Sequence, residues 1–234
     1  MLEINQNLKF VPTADGSKTI YNPIVNENYH SKHGALQESL HVFVKMGLEY
    51  FLEQNPTQTN AVSVLEVGFG TGLNFLLSAD YCSRKNQNLN YTGIEAFPLT
   101  REMIAETEYN QYVTQKLWEF YLQLYPTAIL QPTCINNLCE LKIQHKKLLE
   151  YQSEDLFDII YFDAFAAIHQ PEMWSNESIE HAIRFLKPGG VFVTYAITGE
   201  LKRMLIGLGM QIEKIKGAIG KREMLRAVKF TESL

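Results

Sequence analysis

Val64-Leu65-Glu66-Val67 runs into Gly68-Phe69-Gly70-Thr71-Gly72 and then directly into Leu73-Asn74-Phe75-Leu76-Leu77. Glycines between a strand and a helix let the backbone turn sharply, and they let a ligand touch main-chain atoms with no Cβ in the way. The spacing Glu66-x-Gly68-x-Gly70-x-Gly72 differs from the G-x-G-x-x-G of a dinucleotide-binding loop. Twenty-three residues past Gly72 the next strand candidate ends at Glu95. An acid at that distance reaches the ribose hydroxyls of an adenosine cofactor, because the second strand of such a sheet lies beside the first and borders the same crevice.

A further strand candidate, Phe157 to Asp163, carries a carboxylate at each end. At about 3.3 Å per residue Asp158 and Asp163 lie roughly 16 Å apart, too far to act on one substrate. Ligands in open α/β sheets bind outside the carboxyl ends of the strands, which selects Asp163 and leaves Asp158 as a capping or surface acid. Asp163 heads Asp163-Ala164-Phe165-Ala166-Ala167, followed by Pro171-Glu172-Met173-Trp174. Phe165 and Trp174 are candidates for stacking on a planar base, with plain packing as the alternative. The stretch Leu141 to Lys147 has no carboxylate, so no adenine contact is assigned there. His30-x2-His33 has no Cys or Asp at usable spacing and predicts no metal. Cys82, Cys134 and Cys139 include no C-x2-C pair and read as reduced thiols of a cytosolic protein.

These residues need a scaffold, and the periodicity predicts one. Leu8 to Pro23 alternates around Asp15-Gly16, a hairpin signal, and Gly34 to Gln54 has helical apolar spacing ending before Pro56. Strand candidates follow at Ala61 to Val67, Tyr91 to Glu95, Leu138 to Ile143, Phe157 to Asp163, Val191 to Ile197, Gln211 to Lys216 and Arg226 to Phe230. Helices are predicted at Leu73 to Cys82, Thr100 to Tyr109, Val113 to Tyr125, Ser175 to Leu186 and Glu200 to Leu208. Alternating β and α elements with apolar inner strands indicate an α/β fold, a parallel sheet covered by helices. Only a turn, Gly217 to Lys221, separates the last two strand candidates, so the last strand is expected to be antiparallel. The expected organisation is an N-terminal hairpin-plus-helix extension over residues 1–56 and a Rossmann-like domain over 57–234, forming one compact unit.

The chain has 234 residues, 46% hydrophobic content and a net charge of −5, which excludes a disordered tail and a uniformly basic nucleic-acid binder. Met1-Leu2-Glu3 opens no signal peptide and no apolar run approaches a membrane span, so a soluble cytoplasmic protein is expected. Charge is uneven, however. From Lys214 to Lys229 six basic residues stand against the single acid Glu223. Such a segment on an acidic body suits docking of a phosphate backbone, or is a solvated charged hairpin.

The glycine spacing resembles motif I of class I S-adenosylmethionine methyltransferases, and a strand-end acid followed by an aromatic resembles motif IV of amino-group methyltransferases. Glu95-Ala96-Phe97-Pro98-Leu99-Thr100-Arg101, Asp163-Ala164-Phe165-Ala166, Pro171-Glu172-Met173-Trp174, Lys187-Pro188-Gly189-Gly190, Lys216 to Leu225 and an upstream block from Tyr29 to Glu38 extend the likeness over most of the chain. Together they resemble the methyltransferase domain of the bacterial MnmC family, which completes 5-methylaminomethyl-2-thiouridine in tRNA. Bifunctional members also carry an FAD-dependent oxidase domain, for which 234 residues leave no space, so the likeness is to the free-standing MnmD-like form and no FAD is expected.

That resemblance implies S-adenosyl-L-methionine held by Glu66, Gly68, Phe69, Gly70, Thr71, Gly72, Asn74, Glu95 and Ala96. It implies Asp163 as the catalytic acid group and Phe165, Trp174, Lys221 and Arg222 as contacts to a tRNA substrate. An unperturbed Asp near 3.9 is a poor base for an alkylammonium near 10.4, so Asp163 is expected to stabilise charge on the nitrogen rather than remove its proton. Two other readings stay open at this point: a methyltransferase for a small amine or another RNA position, and a non-catalytic module that keeps the cofactor fold.

Overall fold

The computed structural model describes residues 7–230; the first and last residues of the expected extension and domain lie outside them. β1 (Lys9–Pro12) and β2 (Lys18–Asn22) form the expected hairpin. Gly16 takes φ +84° in its turn, and Asp15 Oδ1 accepts from Ser17 N at 3.0 Å. A two-residue β3 (Glu27–Asn28) pairs with β2, so the predicted two-stranded ornament is a three-stranded antiparallel sheet. The helix that follows, α1, runs without interruption through Ala35–Ser39, Leu40–Glu49 and Tyr50–Gln54, its middle segment wound as a wider π-helix. Val42, Phe43, Val44, Gly47 and Leu48 are buried. A Cβ on Gly47 would come within 2.9 Å of the Tyr161 ring, so glycine lets the helix lie flat on the main sheet.

The alternating elements follow as β4 (Val62–Val67), α2 (Leu73–Lys85), β5 (Leu89–Ile94), α3 (Arg101–Glu106), α4 (Gln115–Leu130), β6 (Thr133–Asn136), β7 (Cys139–Gln144), β8 (Phe157–Phe162), α5 (Asn176–Arg184), β9 (Leu186–Thr194), α6 (Gly199–Gly207), β10 (Met210–Lys216) and β11 (Glu223–Lys229). The sheet order is β10-β11-β9-β8-β4-β5-β7-β6. β4 pairs in parallel with β5 on one side and β8 on the other, which makes its carboxyl end the point where the chain order reverses. β11 is antiparallel to both β9 and β10, as expected for the last strand.

Some predictions need correction. β6 went unseen because a four-residue strand bulged against β7 has too little pattern to register. α4 continues through Pro126, where sequence alone would end it; buried Tyr121, Tyr125 and Ala128 hold the extra turn, with Tyr125 Oη donating to Leu99 O at 3.0 Å. Asp158 is neither a surface acid nor a helix cap. It is 6% exposed, accepts from Ser63 N and Oγ at 2.8 and 2.7 Å, and pairs with Lys187 at 2.8 Å, tying β8 to β4 and β9.

Candidate active site

A cavity of about 1130 Å³ opens at the carboxyl ends of β4, β5, β7 and β8. Its floor is the glycine loop; its sides are Ile94 to Phe97, Lys146 to Glu150 and Asp163 to Ala166. Residues 21–33 and Glu38 form a further wall that sequence reasoning gave no role beyond the resemblance of the Tyr29 to Glu38 block.

At one end sits Glu95, whose Oε2 accepts from Gly70 N at 2.8 Å and whose Oε1 accepts from Phe97 N at 2.9 Å. Burial raises its carboxyl above the usual range against the pull of these amides, and no ion pair neutralises it among the described residues. A carboxylate with unused lone pairs beside a glycine loop, and with Ala96 and Ile94 in the same wall, suits the ribose hydroxyls and adenine of S-adenosyl-L-methionine. The volume accommodates an adenosyl group and a second ligand.

At the other end Asp163 leaves β8 with its N–H bonded to Val67 O at 2.9 Å. Gly68 takes φ +88°, and a Cβ there would collide with the carbonyl of Asp163. The motif I glycine therefore lets the cofactor loop and the Asp163 loop touch. Asp163 Oδ2 accepts from Asn74 Nδ2 at 2.8 Å. Burial first, then the Glu38 charge, push its carboxyl up to about 7, opposed by the Asn74 hydrogen bond and Lys221. The premise that Asp163 has an ordinary acidity is thus overturned by its desolvation. Phe165 lines the same wall, its ring edge-on to Tyr29 at 5.2 Å, and Ala166 N donates to Glu27 Oε2 at 2.8 Å.

Gly68, Phe69, Gly70, Thr71, Asn74, Glu95, Ala96, Asp163, Phe165 and Lys221 all border the cavity. Glu66 and Gly72 do not. Glu66 is wholly buried behind Asn74, and a Cβ on Gly72 would meet the Tyr121 hydroxyl rather than a ligand. Phe69 and Thr71 present little side chain, the Phe69 ring packing over Gly93 and the Thr71 hydroxyl accepting from Tyr109 Oη at 3.3 Å. Trp174 is a packing residue: its Nε1 donates to Phe165 O at 2.7 Å and its ring lies 5.1 Å from Phe162. It braces the Phe165 loop from behind.

The basic segment also divides. Lys221 turns inward, 2.5 Å from Glu38 Oε1 and 3.8 Å above the Tyr195 ring. Arg226 pairs with Glu213 at 2.5 Å and stacks 3.4 Å over Tyr50, and Lys229 donates to Leu186 O at 2.7 Å. Lys214, Lys216 and Arg222 remain exposed. Alternation along β10 and β11 sends successive side chains to opposite faces, so a charge sum over sequence overstates the charge of any one surface. His30 lies against Thr19 at 3.0 Å and Thr71 at 3.4 Å, and no group of three or more His, Cys, Asp or Glu able to hold a metal occurs among the described residues. No helix among them is long and apolar enough to cross a membrane.

A mixed sheet of this order, with a glycine loop at its switch point and a strand-end acid across the crevice, defines a class I methyltransferase fold. A family model described as S-adenosyl-L-methionine-dependent methyltransferase matches residues 108–230. The tRNA 5-methylaminomethyl-2-thiouridine biosynthesis bifunctional protein MnmC of Marinomonas sp. is 29% identical over 211 residues, covering 84% of this chain and 30% of that protein. The protein of the same name from Leptospira interrogans is 33% identical over 207 residues, covering 84% and 32%. The crystal structure of MNMC2 from Aquifex aeolicus has the same fold, with a TM-score of 0.74 over 97% of this chain and 72% of that chain at 22% identity. The chain belongs to the S-adenosyl-L-methionine-dependent methyltransferase family that includes the MnmC methyltransferase domain. It spans about a third of the length of the curated relatives it matches.

Proposed function

We propose that the chain methylates the nitrogen of a 5-aminomethyl group on the wobble uridine of tRNA, giving 5-methylaminomethyluridine, with its extension and sheet acting as one unit in the cytoplasm. The observation that carries this reading is Asp163, a desolvated carboxyl on the cavity wall between the glycine loop and Phe165. S-adenosyl-L-methionine, when bound, supplies an electrophilic methyl on its sulfonium. The residues of the chain must bring a neutral amine in line with it. Phe165 offers an aromatic edge beside the base, and Asp163 accepts a hydrogen bond from the amine.

Burial pushes the Asp163 carboxyl up to about 7, closer to an amine than an ordinary Asp, which makes it a better-matched acceptor for the amine proton. That makes Asp163 a base as well as an electrostatic partner of the nitrogen as it becomes cationic. The test is incubation with labelled cofactor and bulk tRNA from a strain lacking the gene, followed by nucleoside analysis. Label in 5-methylaminomethyluridine is expected. Label on a small amine but not on tRNA overturns the substrate, and no label anywhere overturns the reaction.

Docking of the tRNA backbone falls to the exposed cations of the C-terminal hairpin, Lys214, Lys216 and Arg222. Replacing all three with Gln should weaken tRNA binding and reduce the slope of log K against log salt by roughly 0.7–0.9 per lost phosphate contact. Cofactor affinity should not move. Lys221→Gln, by contrast, should leave that slope alone, because Lys221 is spent on Glu38.

A further inference from the structure

We propose that Asn74 is a positioning residue for methyl transfer: its side-chain amide, anchored by the buried Glu66, clamps one oxygen of Asp163 and fixes how that carboxylate faces the methyl acceptor. The proposal rests on the reading of Asp163 as the group that receives the amine.

Asn74 Nδ2 donates one hydrogen to Glu66 Oε1 at 2.7 Å and the other to Asp163 Oδ2 at 2.8 Å. The two protons of a planar amide lie in one plane about 120° apart, so satisfying both carboxyls fixes the side-chain torsion of Asn74 and the position of Oδ2 together. The reversed amide would aim a carbonyl oxygen at two carboxyl groups, which settles the assignment. Oδ1 of Asn74 is, among the described residues, the one buried side-chain polar atom without a partner. An acceptor is left unused so that both protons can go to the carboxyls. The clamp is rigid at its base, because Asn74 is the second residue of α2, two positions past the loop glycine Gly72 that caps the helix.

Glu66 accounts for the acid of the glycine motif that does not reach the cavity. Its second oxygen accepts from Tyr91 Oη at 2.9 Å, and it is 0% exposed. Burial, reinforced by the Asp163 charge, raises its carboxyl well above the usual range. With one oxygen taken by Asn74 and the other by Tyr91, it is a fixed anchor for the Asn74 amide. Asp163 is faced in addition by Glu27 of β3, Glu38 of α1, Lys221 of the β10–β11 turn, and the hydroxyls of Tyr91 and Tyr195. Of these groups only Asn74 is hydrogen-bonded to the Asp163 carboxylate among the described residues. Its donation holds the Asp163 carboxyl lower than burial alone would.

The test compares Asn74→Leu, Glu66→Val, Glu66→Gln and Asp163→Asn in the full chain, reading kcat and KM on tRNA, cofactor Kd by calorimetry, the pH profile of kcat, and the melting temperature. Asn74→Leu should lose at least ten-fold in kcat, with KM and cofactor Kd within about three-fold, and its acidic limb should move to higher pH. Glu66→Val should lose kcat in the same way, and Glu66→Gln, which restores an acceptor for Asn74 and a partner for Tyr91, should recover most of it. If Asn74→Leu fails to fold, Asn74→Ser, which can donate to only one carboxyl, carries the same expectation. Asp163→Asn inactive together with an Asn74 variant of unchanged kcat and unmoved limb overturns the positioning role. A loss confined to cofactor Kd overturns it too, making Asn74 a cofactor ligand only. Glu66→Gln as inactive as Glu66→Val overturns the role of Glu66 as the anchor. An active Asp163→Asn overturns the reading beneath the proposal.

Discussion

Asp163→Asn should lower kcat on tRNA by two or more orders of magnitude, about 3 kcal/mol of lost transition-state stabilisation, while KM and cofactor affinity change by little. Asn keeps the size and one acceptor oxygen but cannot take a proton or balance a nitrogen becoming cationic. A second consequence has the opposite sign for the fold. The native carboxyl titrates near 7 and the unfolded one near 3.9, so between those values the native state binds more protons. Stability contributed by this group is present at low pH and falls as pH rises through about 7. Removing the charge should therefore leave the protein at least as heat-stable as the parent above pH 7. Asp158→Asn, at the other end of β8, should do the reverse: turnover is kept, and melting falls because Lys187 loses its partner. An Asp163→Asn protein working within a few-fold of the parent would remove Asp163 from the reaction.

Gly70→Val should weaken cofactor binding ten-fold or more in calorimetry. Gly70 takes φ +53°, where a β-branched residue is strained by about 1–2 kcal/mol or more. A Cβ there would stand 3.0 Å from Tyr29 Cδ1, tight enough to press on the wall formed by the N-terminal segment. Relief by shifting the loop carries the Gly70 amide away from Glu95, which its hydrogen bond now holds at 2.8 Å. Either route disturbs the Glu95 end of the cavity, and a melting temperature lowered by a few degrees should accompany it. A folded Gly70→Val protein with unchanged affinity would move the cofactor elsewhere.

The parts legible in sequence were those whose geometry is written locally. Gly68, Gly70 and Gly72 each take positive φ, and Glu95 and Asp163 sit at strand ends because strands end where apolar runs do. What escaped was set by contacts across the chain. Glu66 lies within β4 and Glu95 just past the end of β5, yet only the hydrogen bonds with Tyr91 and Asn74 show that the first is turned inward. Lys221 reads in sequence as a phosphate contact within a basic run, and only the fold pairs it with Glu38, 183 positions away. The wall from Tyr21 to Glu38 was readable as a hairpin and a helix, but nothing in its alternation says that it closes over a crevice built from β4, β5 and β8. Trp174 shows the converse: an aromatic in the segment after Asp163 whose own neighbours, Phe162 and Phe165, use it as a brace.

The antiparallel course of β11 has a bearing on biosynthesis. Because β11 runs against β9 and β10, the turn between the last two strands lands on the edge of the sheet where the cavity opens, and Lys221 meets Glu38 there. A nascent chain can pair β4 with β5 early, but it cannot close the Lys221–Glu38 side of the cavity until translation has passed residue 221 and the strand has slotted between two neighbours made before it. Loop closure over so long a span is slow relative to local helix formation, so this side of the cavity is expected to be assembled late. In such a fold a closed cavity wall also reports that the sheet has been completed.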